Sequence, residues 1–278
     1  MLAPLRDWTM RRVPRESALW RGLRSAFVPI SWMLGTLYPL LPNRYSAPGI
    51  VIGGASRSGT TLLLAILSAH PRIFAIDHET YAFCPDPQPG VDGSMRFSMR
   101  RLHTALALGI PPPGAHRWCE KTPRNVRAFQ SILERCGDRV RLVHIVRDGR
   151  DVITSRHPRR PDTYYSSPQE WVADVSRGLA HAGDPRVTML RYEDLISDFR
   201  STAEPLLVFL GETEEFPWDR WFERATVRTH TAWAEGLQNL HGGSVARWRR
   251  PEHAARVREM MEYPGAAELL ERLGYPLD

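Results

Sequence analysis

The 278-residue chain predicts an α/β fold in three layers, α/β/α, with a central parallel sheet flanked on both faces by helices. Apolar runs of strand length alternate with longer segments of helical periodicity, the pattern of a parallel sheet covered on both sides. The first of these runs leads through a Gly/Ser loop straight into a helical pattern. Composition agrees, since 42% hydrophobic and 24% charged residues suit a soluble globular chain. A disordered tail, a collagen-like chain and a polytopic membrane protein are excluded. The length fits one domain with extensions. Residues 1–47 read as an N-terminal extension containing Arg and Trp, and 48–278 as a single domain with an insertion or lid at 84–116.

The extension carries Arg6, Arg11, Arg12, Arg15, Arg21 and Arg24 without a compact apolar core, so it does not read as a cleaved signal peptide. No charge occurs from Ser25 to Asn43, but Pro29, Gly35, Pro39 and Pro42 interrupt that run. A spanning helix needs about 20 mostly apolar residues, so this segment is expected to pack on the domain, line a pocket or touch a membrane interface. Gly49 to Gly53 reads as a buried strand, and Thr60 to Ala69 as the helix after the loop. Ile73 to Ile76 is a second strand. The stretch 84–116, rich in Pro, Gly and polar residues, holds one helix from Met95 to Leu108. Asn125 to Arg135 is helical and closed by Gly137, and Arg141 to Val146 is a further buried strand. Helices from Pro168 to His181 and from Thr202 to Leu210 bracket a strand from Val187 to Leu190. The last helical stretch runs from Pro251 to Leu273 and closes with Gly274. Cys84, Cys119 and Cys136 are odd in number and lack metal-ligand spacing, which fits a reducing compartment.

The chemistry starts in the loop Gly54-Ala55-Ser56-Arg57-Ser58-Gly59-Thr60-Thr61. Backbone N–H groups at a helix N-terminus point at an anion, and the helix dipole adds to the attraction. The spacing from glycine to glycine is that of a Walker loop, but Thr60 stands where the Walker lysine would, and the cation lies inside the loop as Arg57. The strand ending at Val146 runs into Arg147 before Asp148, whereas a magnesium-nucleotide enzyme needs an acid at that strand end. The pattern points to a phosphate-bearing nucleotide held without a metal. A second segment, Arg147 to Ser155, begins at a strand end and enters a helix. Its Arg and Ser lie eight residues apart, about two helical turns, and converge only if the segment folds back. Arg150 and Asp151 read equally well as a surface pair.

With these motifs the chain resembles the sulfotransferases that use 3′-phosphoadenosine 5′-phosphosulfate (PAPS), and within them the bacterial and tyrosylprotein-type branch. Ser56 to Thr61 matches the family's 5′-phosphosulfate loop, and Arg147 to Ser155 its 3′-phosphate motif. Arg191-Tyr192-Glu193-Asp194-Leu195 resembles the next motif, whose tyrosine lies near the adenine. Trp118-Cys119-Glu120-Lys121-Thr122-Pro123 is typical of that branch, and Ser244 to Trp248 resembles its C-terminal phosphate-contacting stretch. The motifs occur in family order between about residues 50 and 250. The resemblance implies a P-loop-type sheet, PAPS as sulfuryl donor with no metal, and in-line transfer to an acceptor hydroxyl.

Sulfuryl transfer builds charge on the bridging oxygen of the departing phosphate, so it needs cations aimed there and a base for the acceptor's proton. Arg57 is the loop cation and acts electrostatically, because arginine is not an effective acid at neutral pH. Lys121 is the second cation, and its compact ammonium reaches where a planar guanidinium would be too wide. As a surface residue it would pair with Glu120 or Asp138. The resemblance makes Glu79 the base. His78 is the rival, because imidazole titrates nearer neutrality, and Asp77 reads as a structural cap. Ser58, Gly59, Thr60 and Thr61 line the phosphosulfate with Arg57. Arg147 and Ser155 bind the 3′-phosphate, Tyr192 flanks the adenine, and Arg247 folds over the phosphates or belongs to a basic surface patch with Arg249 and Arg250.

Of the 37 basic residues, 36 are arginine, and Lys121 is the sole lysine. The net charge of +6 suits an anionic ligand or surface. No nucleic-acid motif accompanies the tryptophans. The acceptor class stays open among small molecules, lipid-linked acceptors, sugars and peptides; its wall, built by 84–116 and the residues just before it, offers Tyr81, Phe83, Met95, Phe97 and Met99 alongside Arg96, Arg100 and Arg101. The expected location is cytoplasmic, with peripheral membrane contact through the N-terminal segment as a further reading. The alternatives are a P-loop kinase or NTPase, and a non-catalytic nucleotide- or membrane-binding protein.

Overall fold

A computed structural model describes residues 29–84, 97–157, 160–213, 215–228, 237, 240 and 242–277. The expected helix start at Met95, the lid residue Arg96 and the arginines of the first 24 residues lie outside them. Numbered in chain order, the strands are β1 (Gly49–Gly53), β2 (Ile73–Ala75), β3 (Arg117–Lys121), β4 (Val140–Val146), β5 (Arg156–His157), β6 (Arg160–Tyr164) and β7 (Val187–Arg191). Five of them form one sheet in the order β2-β3-β1-β4-β7, and every pairing in it is parallel. β5 and β6 form a separate antiparallel pair. The helices are α1 (Thr60–Leu67), α2 (Met99–Leu108), α3 (Phe129–Cys136), α4 (Gly149–Ile153), α5 (Pro168–Leu179), α6 (Tyr192–Ser197), α7 (Phe199–Leu210), α8 (Trp221–Arg224), α9 (Ala254–Glu262) and α10 (Ala266–Arg272).

The three layers follow from side-chain alternation along fully buried strands. In β1, Ile50 and Ile52 enter a core with Leu63, Leu64 and Leu67 of α1 and Leu206 and Leu207 of α7. Val51 points the other way, into a core with Leu102 of α2 and Phe129, Ile132 and Leu133 of α3. A third core joins Val146, Val152 and Trp171 to Met260 and Leu270 of the C-terminal helices. The chain leaves β1 into α1 on one face. It leaves β4 through α4 into α5, whose Gly178 lies against His144 on the face shared with Phe129. Neighbouring strands that send the chain to opposite faces open a crevice at their C-terminal ends, where open α/β sheets bind ligands.

β3 is the element that periodicity did not reveal. Its sequence, Arg-Trp-Cys-Glu-Lys, has three charged residues, yet four of the five positions are buried in the middle of the sheet. Each charge has a partner: Arg117 donates to Glu212, Glu120 accepts from Thr80, Thr122 and Asn125, and Lys121 donates to Glu79. Paired charges can be buried where lone ones cannot. The expected helix from Asn125 to Arg135 instead starts as a 3₁₀ run, Pro123–Ala128, before α3. The expected Pro251-to-Leu273 helix breaks at Tyr263-Pro264-Gly265 into α9 and α10, since Pro264 lacks an N–H and Gly265 sits at φ +80°. The uncharged run forms a helix at 29–37, followed by the 3₁₀ turn Tyr38–Leu40. It packs on α2, where Tyr38 stacks on His103 at 5.4 Å. Among the described residues no helix is long and apolar enough to cross a membrane.

Candidate active site

The loop between β1 and α1 turns through Arg57 at φ +73° and Gly59 at φ +91°. A Cβ on Gly59 would stand 2.4 Å from the Tyr192 ring, so glycine is required there by space as well as by conformation. The turn is closed by the Ser58 amide donating to the Ala55 carbonyl. Thr60 and Thr61 form the first, buried turn of α1. The Ser58 hydroxyl and the Arg57 Nε are buried with no protein partner among the described residues. Unpartnered donors beside a helix N-terminus are the features that a cradle for an anion uses.

Three arginines from distant segments meet at this loop. Arg147, at the end of β4, donates through Nη1 to the Arg57 carbonyl at 3.0 Å and through Nη2 to the Ser244 carbonyl. Its guanidinium lies 4.6 Å from the centroid of the Tyr192 ring and 3.6 Å from Asp151, and its Nε is buried without a partner. Arg247 reaches Ser155 Oγ at 3.5 Å. Burial and then the like charges of Arg147 and Arg247 lower the Arg57 pKa, and burial and then Arg147 lower that of Arg247. Each guanidinium of the cluster raises the cost of charge on the others.

Asp151 fixes the geometry of this cluster. Its carboxylate accepts from the backbone amides of Ala246 at 2.8 Å and Trp248 at 2.9 Å, and so ties the C-terminal loop to α4. Its carbonyl accepts from Ser155 Oγ at 2.8 Å, which brings Ser155 back toward Arg247. The surface-pair reading of Arg150 and Asp151 is corrected: both are buried, and their partners differ. Arg150 forms a bidentate pair with Asp148 and lies 3.8 Å from the Trp248 ring. Glu193 of the Tyr192 motif accepts from the Asp148 amide at 3.0 Å and from the Tyr275 hydroxyl at 2.8 Å, and burial raises its pKa. Tyr192 itself is buried between Gly59 and Arg147.

Lys121 stands beside the phosphate loop because β3 pairs with β1, with Ile52 in register with Lys121. The Gly54 amide then donates to the Pro123 carbonyl at 2.9 Å. The lysine side chain is 0% exposed and its Nζ donates to Glu79 Oε1 at 2.7 Å. Alternation along β3 sends Glu120 elsewhere, and the buried side chain is not the surface residue of the alternative reading. Glu79 retains 23% exposure and lies in the loop beyond β2, which ends at Ala75. Its second oxygen, Oε2, accepts from the Tyr81 hydroxyl at 2.7 Å. His78 faces the other way, pairing with Asp77 at 2.9 Å on an exposed surface. Sequence reasoning placed Tyr81 in the acceptor wall and missed its bond to Glu79. A signal was present in the Glu-x-Tyr spacing, but nothing local shows that Tyr81 adopts φ +52° and so turns its ring back.

The chain is an open parallel α/β sheet with an arginine-lined glycine loop at its switch point. A sulfotransferase family model matches residues 48–109 and 102–217, more than half of the chain, and the protein therefore belongs to the sulfotransferase family. Solved structures agree in fold. The sulfotransferase domain of the Synechococcus PCC 7002 olefin synthase is 18% identical, with a TM-score of 0.55 over 85% of this chain and 98% of that one. A sulfotransferase from Alicyclobacillus acidocaldarius is 16% identical, with a TM-score of 0.50 over 84% of this chain and 98% of that one. One from Mycobacterium tuberculosis H37Rv is 14% identical, with a TM-score of 0.50 over 87% and 80%. No curated protein matches the chain.

Proposed function

We propose that this sulfotransferase moves the sulfuryl group of PAPS directly to an acceptor hydroxyl, without a metal ion. The observation that carries the proposal is the convergence of Arg57, Arg147 and Arg247, from three distant segments, on one phosphate loop with unpartnered buried donors. A nucleotide with two separate anionic groups matches two cationic lobes. Arg57, with Ser58, Gly59, Thr60 and Thr61, takes the 5′-phosphosulfate. Arg147, Ser155 and Arg247 take the 3′-phosphate by charge-assisted hydrogen bonds. Tyr192 serves the nucleotide from beneath, by fixing Gly59 and Arg147. At the end of β4, where a magnesium site would place a carboxylate, Arg147 fills the position with positive charge.

The transfer step forms a bond from the acceptor oxygen to sulfur and breaks the bond from sulfur to the bridging phosphate oxygen. The acceptor proton passes to Glu79, and adenosine 3′,5′-bisphosphate departs. In the free protein Lys121 and Glu79 neutralise each other at 2.7 Å. A developing charge on the bridging oxygen competes for the Lys121 ammonium, which frees Glu79 to act as base while Tyr81 holds its other oxygen. The acceptor is a hydroxyl of a small molecule, lipid, sugar or peptide. The test is calorimetric binding of adenosine 3′,5′-bisphosphate in EDTA, followed by transfer from labelled PAPS to host extracts. Micromolar binding and a labelled product are expected. A strict magnesium requirement with ATP hydrolysis would sink the proposal.

A further inference from the structure

The helix at 29–37 leaves more large apolar side chains exposed than it packs on the domain. Its inward positions are Ser31, Leu34, Gly35 and Tyr38 at helical spacing, and Gly35 is the one fully buried member. A Cβ on Gly35 would stand 2.2 Å from Thr104 Oγ1, and the Thr104 hydroxyl donates to the Ser31 carbonyl at 3.0 Å, so the side that carries Gly35, with Leu34 and Tyr38 half-buried on it, is the one that seats on α2. The apolar side faces out: Ile30 is 41% exposed, Trp32 53%, Met33 48% and Leu37 47%, continuing into Leu40 at 79% and Leu41 at 57%. A helix packed on a domain ordinarily turns its apolar stripe inward, and a contiguous exposed apolar patch marks an interaction surface. One of these residues is anchored: the Trp32 ring centroid lies 5.9 Å from the Arg100 guanidinium, and the Trp32 carbonyl accepts from the Thr36 hydroxyl.

Charge identifies what covers the patch. No acidic or basic residue occurs between Ser25 and Asn43, so the face itself is uncharged. Arg44, which follows it in sequence, and Arg100, whose guanidinium lies over the Trp32 ring, are exposed, and the sequence before residue 25 carries six arginines against Asp7 and Glu16. Uncharged apolar side chains framed by arginine fit the boundary of an anionic bilayer, where the apolar face enters the acyl region and the cations meet the headgroups. We propose that this face is a membrane-docking surface and that the protein binds anionic lipid bilayers peripherally through residues 30–41. The inference is independent of the acceptor and of the transfer mechanism.

The full-length protein is sedimented with vesicles of phosphatidylcholine alone and with vesicles of phosphatidylcholine and phosphatidylglycerol in a 3:1 ratio. Binding to the anionic vesicles is expected, weakened by 0.5 M salt, since each arginine at the surface contributes roughly fivefold. The double variant Met33→Glu, Leu37→Glu is expected to lose at least tenfold in partitioning with an unchanged circular dichroism melt, because both positions face outward. Equal partitioning of the variant would overturn the proposal by showing attachment through arginines alone. Failure of the parent to sediment would also overturn it. So would a parent that fails to sediment and is dimeric by ultracentrifugation while the variant is monomeric, since the face then joins two copies.

Discussion

Arg147→Ala tests the division of the site into two phosphate lobes. Arg147 is buried, and its neighbours are the Arg57 and Ser244 carbonyls, Asp151 and the Tyr192 ring. Truncation removes a guanidinium that offers a 3′-phosphate two charge-assisted hydrogen bonds. At about 1.5–3 kcal/mol each, the loss is about 3–6 kcal/mol, or roughly 10²- to 10⁴-fold in Kd. The same truncation loosens contacts to the loop and to Ser244, so a control ligand is needed. Adenosine 5′-phosphate lacks the 3′-phosphate and should lose less than about threefold. Calorimetry on the two ligands with parent and variant gives the difference. The free fold should melt lower, because truncation leaves the buried Asp151 without its guanidinium partner, so affinities are compared at a temperature where both proteins are folded. With bisphosphate at about 100 times Kd, the parent gains about 2.7 kcal/mol, and its Tm rises by roughly 5–10 °C. Equal losses for both nucleotides would refute the lobe assignment, for Arg147 would then be supporting the loop and not reading the 3′-phosphate.

Lys121→Arg is expected to lower transfer at least about 100-fold and stability by about 1–3 kcal/mol, because a larger planar group must enter a fully closed space; single-turnover assays and urea titration read the two effects. Tyr81→Phe keeps the ring but releases Glu79 Oε2, and kcat should fall about tenfold with the KM for PAPS unchanged; a rise in KM alone would deny Tyr81 its positioning role. Gly59→Ala combines φ +91° with a Cβ 2.4 Å from Tyr192 and should cost about 2–4 kcal/mol in denaturant unfolding. Burial lowers the His144 pKa from 6.5 to about 4. Between those values the unfolded chain takes up a proton that the folded one refuses. Stability from this group is therefore full above pH 6.5 and falls as pH drops toward 4, by on the order of 3 kcal/mol. His144→Phe should flatten that part of the pH–stability curve, and an unchanged slope would show that other groups produce it.

Much of the fold was legible because apolar runs of strand length and leucine-rich helical runs report burial directly. β1, α1, β4 and β7 all fall within a few residues of their expected limits. The loop after β1 was legible for a similar reason: backbone geometry demands glycine at defined spacing, and Arg57 inside the loop and Arg147 at the end of β4 stand out by charge. β3 was hidden because its charges read as surface, and only distant segments supply Glu212 and Glu79 to neutralise Arg117 and Lys121, while Thr80, Thr122 and Asn125 hydrogen-bond Glu120. The β5–β6 pair was hidden because short antiparallel pieces carry little periodicity.

The sequence by itself determined the chemistry available: a glycine loop with its own arginine, arginine in place of a metal-binding acid, and a single lysine among 36 arginines. These are properties of residue type and spacing, which the chain carries before it folds. Only the tertiary structure decided which groups meet. Pairing of β3 with β1 sets Lys121 beside the loop, and a left-handed turn at Tyr81 joins its hydroxyl to Glu79. Asp151 draws Arg247 from nearly a hundred residues away onto Ser155. Those contacts depend on long-range register and on mutual neutralisation of buried charge, and neither is written in any one segment.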